Sequence, residues 1–188
     1  MRYSLFFLLF VPLLSLSFSS CEYKRGHGTI SEAYSTVAVP YIEGDMEGAL
    51  TAELIRQLGQ SGAFEYSDSS SDLTLNVKIL DHHEEFIGYD FDVDSAGVPV
   101  RRLVPTEARY SVLTEVTLIE NVSGKALIGP RRFSSSVDYD FDPDITRSNV
   151  TSFSLGQLNA KDAAEDAAMK PLGASLAKNI IDHIANSW

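Results

Sequence analysis

The sequence predicts an α+β fold: a two-layer sandwich in which a mixed four-stranded sheet carries two helices on one face, in the order β-α-β-β-β-α. Three patterns predict it. Met46, Leu50, Leu54 and Leu58 recur every four residues and give a helix one apolar stripe. Leu73, Leu75, Val77 and Ile79 alternate with Thr74, Asn76 and Lys78, the period of a strand with one buried face. Ala164, Ala168, Leu172, Leu176, Ile180 and Ile184 again step by four. Two one-sided helices and a one-sided sheet satisfy each other most simply as two layers.

The 188 residues divide into three expected stretches: a signal peptide at 1–20, a polar tether at 21–34, and a single α/β domain at 35–188. Arg2 supplies a short positive start, and Leu5 to Leu14 (LFFLLFVPLL) is an apolar run too short to span a bilayer. Small residues follow, up to Cys21. A signal peptide that ends directly before a lone cysteine resembles a bacterial lipoprotein signal. In such signals the cysteine becomes the lipidated first residue, so Cys21 is the expected lipidation site. Cys21 is the only cysteine, which excludes an intramolecular disulfide and a four-cysteine zinc site. The formal charge is −11. Cleavage after residue 20 removes one cation, Arg2, and no acid, and leaves −12. Such acidity argues against a general nucleic-acid partner.

Within the domain, Ser35 to Val39 is a short β-prone run stopped by Pro40. The helix from about Asp45 to Gln60 has Asp45 as a cap and Gly62 as a stop. The Leu73 strand leads through a loose turn at Asp94 to Pro99 into a strand from about Arg101 to Asn121. The turn Asn121-Val122-Ser123-Gly124 leads into a strand from about Lys125 to Phe141. The closing helix spans about 157–186, with a kink or new turn expected at Pro171 because proline removes a backbone donor.

The candidate chemistry is sparse. His82-His83-Glu84-Glu85 on a strand offers two ligands per face, whereas zinc takes three or four, so a solvated segment is the expectation and no metal is assigned. Tyr89-Asp90-Phe91-Asp92-Val93-Asp94 is echoed by Tyr139-Asp140-Phe141-Asp142-Pro143-Asp144. Alternate aspartates suggest calcium, but the glycine turn and the distant glutamate of a calcium loop are missing. Period two instead points the aspartates outward and Tyr, Phe and Val inward. Arg101-Arg102 and Arg131-Arg132 are arginine pairs in an acidic chain, suited to phosphate or to nearby carboxylates. No nucleophile elbow, phosphate loop or H-E-x-x-H occurs, so no catalytic residue is assigned and no enzyme is expected.

Several short motifs, in order, resemble the LPS-assembly lipoprotein LptE family. Cys21-Glu22-Tyr23-Lys24-Arg25-Gly26 is similar to the family's opening, with Glu22 in place of the usual glycine. Val37-Ala38-Val39-Pro40-Tyr41 is similar to its first strand. Glu47-Gly48-Ala49-Leu50-Thr51-Ala52-Glu53-Leu54 looks like its first helix, Asp72-Leu73-Thr74-Leu75-Asn76-Val77 like its next strand, and Ser123-Gly124-Lys125-Ala126-Leu127 like its hairpin.

The resemblance implies a lipoprotein on the periplasmic side of the outer membrane. It also implies a large β-barrel partner of the LptD type, which the protein plugs and helps to assemble, and a share in delivering lipopolysaccharide to the outer leaflet. No cofactor is implied beyond the lipid on Cys21. Arg101, Arg102, Arg131 and Arg132 are the nearest candidates for contact with lipopolysaccharide phosphates, while the acidity works against direct lipid binding. The other readings are a free-standing periplasmic lipoprotein that binds a small ligand or calcium, and a hydrolase using His82 to Glu85.

Overall fold

The computed structural model describes residues 28–45, 48–93, 96–141 and 160–187. In chain order the elements are α1 (Thr29–Ala33), β1 (Thr36–Ala38), α2 (Ala49–Ser61), β2 (Glu65–Tyr66), β3 (Leu73–Val93), β4 (Pro99–Glu120), β5 (Ala126–Asp140) and α3 (Ala160–Ala185). The strands form one sheet in the order β2-β1-β3-β4-β5. β1 runs parallel to β2 and β3, and the later pairs are antiparallel. The class and the mixed sheet are as the sequence predicts, with five strands where it predicts four. The added strand, β2, is two exposed residues, too short to show a period. It forms because the chain leaving α2 returns alongside β1, where the N–H groups of Glu65 and Ser67 donate to the carbonyls of Ser35 and Val37 at 2.8 and 3.1 Å.

Part of the stretch expected as a tether is folded: Thr29–Ala33 form α1. The Gly28 N–H donates to the Ala185 carbonyl at 2.6 Å, so the chain is pinned to the last turn of α3. A side chain at Gly28 would meet the Ser187 carbonyl at 2.1 Å, and glycine permits the approach. Asp72 then fastens the start of the sheet. Its Oδ2 accepts the N–H groups of Ser35 and Thr36, each at 3.0 Å, and these donors hold the carboxyl below the usual carboxylate range.

α2 begins at Ala49 rather than Asp45, but Asp45 still serves its first turn. Its Oδ2 accepts both the N–H and the hydroxyl of Thr51 at 2.8 Å. Gly62, with φ of 66°, ends the helix in the left-handed backbone that favours glycine. Leu50, Leu54 and Leu58 are buried as the stripe predicts; Met46 lies outside the described residues. α3 runs without a break through Pro171, where the sequence predicts a kink or a new turn.

The core lies between the sheet and the two longer helices. Leu73, Leu75, Val77, Val116 and Leu118 meet Leu54, Leu58, Leu176, Ile180 and Ile184 there. The sheet keeps one face toward the helices along its length by means of a bulge. Ile79 pairs with Thr114 and Asp81 with Leu113, so Leu80 is an extra residue. The helix-facing positions of β3 therefore pass from odd numbers to even ones, so that His82, Glu84 and Phe86 oppose Val112, Tyr110 and Ala108, and a second shift between Phe86 and Gly88 returns that face to the odd positions Tyr89 and Phe91.

At the far end of α3 the His183 ring packs on Phe133, with ring centroids 5.4 Å apart. Burial first, and the Arg131 charge second, push the His183 pKa down.

Two outcomes follow from this packing. Leu54 is fully buried, so Leu54→Ala should lower stability by about 2–5 kcal/mol in urea unfolding, whereas Phe91→Ser, at an exposed position, should change it by about 0.5 kcal/mol or less. The unfolded chain binds a proton at His183 more readily than the native one. Stability should therefore fall as pH drops from the ordinary histidine value of about 6.5 toward the lower native value. The slope of melting temperature over that window should flatten in His183→Gln.

Candidate functional site

The candidate site residues sit on the long β3–β4 hairpin and on β5. Strands of 21 and 22 residues reach about 70 Å at roughly 3.3 Å per residue. β5 is shorter. Its ladder with β4 ends at Glu107↔Asp140, followed by one more bond from the Phe141 N–H to the Thr106 carbonyl at 2.9 Å. Beyond that point β3 and β4 continue as a two-stranded arm. Phe91 pairs across it with Leu103, and Tyr89 with Pro105.

The arm corrects one expectation. Period two points Tyr89 and Phe91 inward, yet each is 57% exposed, with Leu103 at 60% and Val98 at 56%. The alternation is present, but among the described residues no element covers it. In the echo on β5 the same pattern is covered: Tyr139 is buried and Phe141 half-buried against Ala164 and Ala168 of α3. Asp90 and Asp140 point to solvent as predicted; Asp94, Asp142 and Asp144 lie outside the described residues. Among the described residues no three His, Cys, Asp or Glu side chains converge as a metal site. His82 instead stacks on Tyr110 at 6.2 Å, while His83 opposes Ser111 on the other face.

The two arginine pairs are far apart. Arg101 and Arg102 are exposed on the arm, between the Phe91↔Leu103 and Val93↔Pro99 pairs. Arg131 and Arg132 lie opposite Val116 and Glu115, about 45 Å away along β4. Neighbours on a strand point to opposite faces, so each pair also divides. Arg131 lies on the helix side, near His183, and Arg132 on the open face. One headgroup cannot touch all four. Cys21 lies outside the described residues.

Sequence reasoning missed Arg109, an arginine held by a carboxylate from another strand. Its Nε and Nη2 donate to the two oxygens of Asp138 at 2.7 and 2.9 Å, and its Nη1 lies 4.0 Å from Glu85. The pair holds Asp138 below the usual carboxylate range. It stands on the open face, which is polar along β4 and β5, and nothing local in the sequence marks it because the partners are 29 residues apart. Glu84 was visible as part of a histidine–glutamate cluster, but its partners, Tyr139 and Lys161, come from β5 and α3.

Among the described residues no helix is long and apolar enough to cross a membrane. No curated protein matches this sequence. The chain is similar in fold to a lipoprotein candidate from Caulobacter crescentus CB15, with a TM-score of 0.51, 16% identity, and coverage of 83% of this chain and 92% of that one. A minor lipoprotein from Acinetobacter baumannii aligns with a TM-score of 0.49 and 13% identity, over 81% and 91% of the two chains. The rare lipoprotein B from Shewanella oneidensis aligns with a TM-score of 0.41 and 14% identity, over 80% and 90%. The family model of LptE, described as lipopolysaccharide-assembly, matches residues 34–184, which run from just before β1 to the end of α3. A match that runs from β1 through most of α3, together with the order of elements described above, places the chain in the LptE lipopolysaccharide-assembly family.

Proposed function

We propose that this protein is a non-catalytic lipoprotein of the outer membrane, held on the periplasmic side by a lipid on Cys21. It plugs and helps to assemble a large β-barrel of the LptD type and assists the delivery of lipopolysaccharide to the outer leaflet. The observation that carries the reading is the LptE match across residues 34–184.

The layout of the molecule supports it. Gly28 is pinned to the end of α3, and Tyr34, just past α1, donates its hydroxyl to Glu120 at 2.8 Å. The seven steps from Cys21 to Gly28 reach about 25 Å at most. A lipid on Cys21 would thus hold this base near the bilayer. The arm projects from the opposite end, with Arg102 about 60 Å from Glu120 along β4. A body anchored at its base, with an exposed apolar arm at its far end, suits a protein that reaches into a partner.

Lipopolysaccharide contact, if it occurs through the arginines, uses either the arm pair or the β5 pair, because the two are too far apart for one headgroup. The high negative charge favours a partner protein or a bridging cation over a broad phosphate surface.

The test is affinity purification of the tagged full-length protein from detergent-solubilised envelope. A large β-barrel protein should elute with it near one-to-one. Elution alone, under conditions that keep other barrel complexes intact, would sink the plug reading and turn attention to calcium or a small ligand as a stabiliser. In the same preparation Arg101→Ser with Arg102→Ser should reduce lipopolysaccharide crosslinking several-fold if the arm pair is the contact, and leave barrel recovery unchanged. Cys21→Ala should abolish incorporation of a radiolabelled fatty acid into the protein, whereas recovery with the barrel, which rests on the folded body, should persist.

A further inference from the structure

We propose that the N-terminal half of α3, residues 160–170, is a hinged element that opens from the sheet about Pro171 and is held closed by a latch between Lys161, Glu84 and Tyr139. The inference stands apart from the barrel reading, since it concerns the resting chain alone.

The two halves of α3 are held by different means. From Leu172 onward the helix buries Leu172, Leu176, Ala177, Ile180, Ile181 and Ile184, all but Leu172 in the main core between sheet and helices. Before Pro171 the only buried side chain among the described ones is Ala168, with Ala164 half-buried. Each offers one methyl group to a separate small cluster around Ala108 and Tyr139. Far less apolar surface leaves water on this side, so far less hydrophobic stabilisation holds it.

Between the halves the backbone is weakened. Pro171 has no N–H, so the carbonyl of Ala167 lacks its helical donor, and the proline ring crowds that turn. A helix that bends does so at such a point.

What fastens the loose half is polar. The Lys161 ammonium lies 2.7 Å from one oxygen of Glu84 and 3.0 Å from the other. The Tyr139 hydroxyl donates to Glu84 as well. Lys161 also sits over the Phe86 ring, 5.7 Å from its centroid. Lys161 and Tyr139 together hold the Glu84 carboxyl below its ordinary range. Glu165 and Asp162 on the helix, and Tyr110 on the sheet, complete the charged and titratable surroundings. Side chains from two other elements therefore meet at one β3 carboxylate, at the end of the helix where apolar contact is thinnest.

Opening would lengthen the exposed face of the arm. Tyr110, Val137, Tyr139 and Phe141 lie under the loose half. Phe141 touches Phe86 with ring centroids 6.1 Å apart, and Phe86 is already 44% exposed. A partner that docks on the arm would gain a continuous aromatic strip by displacing residues 160–170. The open state is then a local unfolding of the kind that low-stability elements show.

Hydrogen exchange by mass spectrometry on the full-length protein in detergent tests the hinge. Amides 164–170 should exchange at least about tenfold faster than amides 174–184, with the step at Pro171. Lys161→Met should raise exchange of 164–170 by several-fold more and leave 174–184 unchanged, and Glu84→Gln should act in the same direction. Pro171→Ala should slow exchange of 164–170 toward the level of the second half. Equal protection in both halves, a smooth gradient with no step at Pro171, or a Lys161→Met effect spread evenly over the whole helix would overturn the proposal.

Discussion

The difference in rise between a strand and a helix governs this molecule. A helix advances about 1.5 Å per residue and a strand about 3.3 Å. α3, with 26 residues, therefore spans about 39 Å, while the β3–β4 hairpin, with strands of 21 and 22 residues, spans about 70 Å. The helical layer cannot cover the sheet it lies on. The covered part becomes a core, and the remainder becomes an arm with exposed Tyr89, Phe91 and Leu103. A large exposed apolar surface on a folded domain signals an interaction, and among the described elements it follows from their lengths.

The acidic side chains are deployed by position. Where they are placed inside the structure they gather donors: Asp72 holds the N–H groups of Ser35 and Thr36, Asp45 serves Thr51, and Glu84 receives Lys161 and Tyr139. Among the described residues no buried side-chain nitrogen or oxygen lacks a partner. Elsewhere the acids point outward, as Asp90 and Asp140 do, where charge at a strand end discourages edge-to-edge association. The net charge thus reflects both internal fastening and protection of exposed edges.

Much of the fold was legible because its signals are local. The four-residue steps of Leu50, Leu54 and Leu58, and of Leu172, Leu176, Ile180 and Ile184, mark buried helix faces, and Gly62 marks a stop. The Asn121–Gly124 turn was legible too, and the Gly124 N–H closes it on the Glu120 carbonyl at 2.8 Å. The candidate site was less legible. Arginine pairs stand out in an acidic sequence, but adjacency along a strand separates side chains rather than uniting them. Arg109 has a clear partner, but its carboxylate arrives from another strand.

The sequence by itself determined where the longer helices and strands run, though not α1 or β2, and which of their faces is apolar, since both follow from periods of two and 3.6 that a few neighbouring residues express. The tertiary structure decided how far those faces are covered. The same Tyr-Asp-Phe-Asp pattern is buried on β5 at Tyr139 and exposed on β3 at Tyr89, because α3 lies over one and ends short of the other. The bulge at Leu80 likewise moves Glu84 to the helix side, where Lys161 can reach it. How far a face is covered and which partners it finds depend on elements that meet from distant parts of the chain, and local periodicity marks the face without saying what covers it.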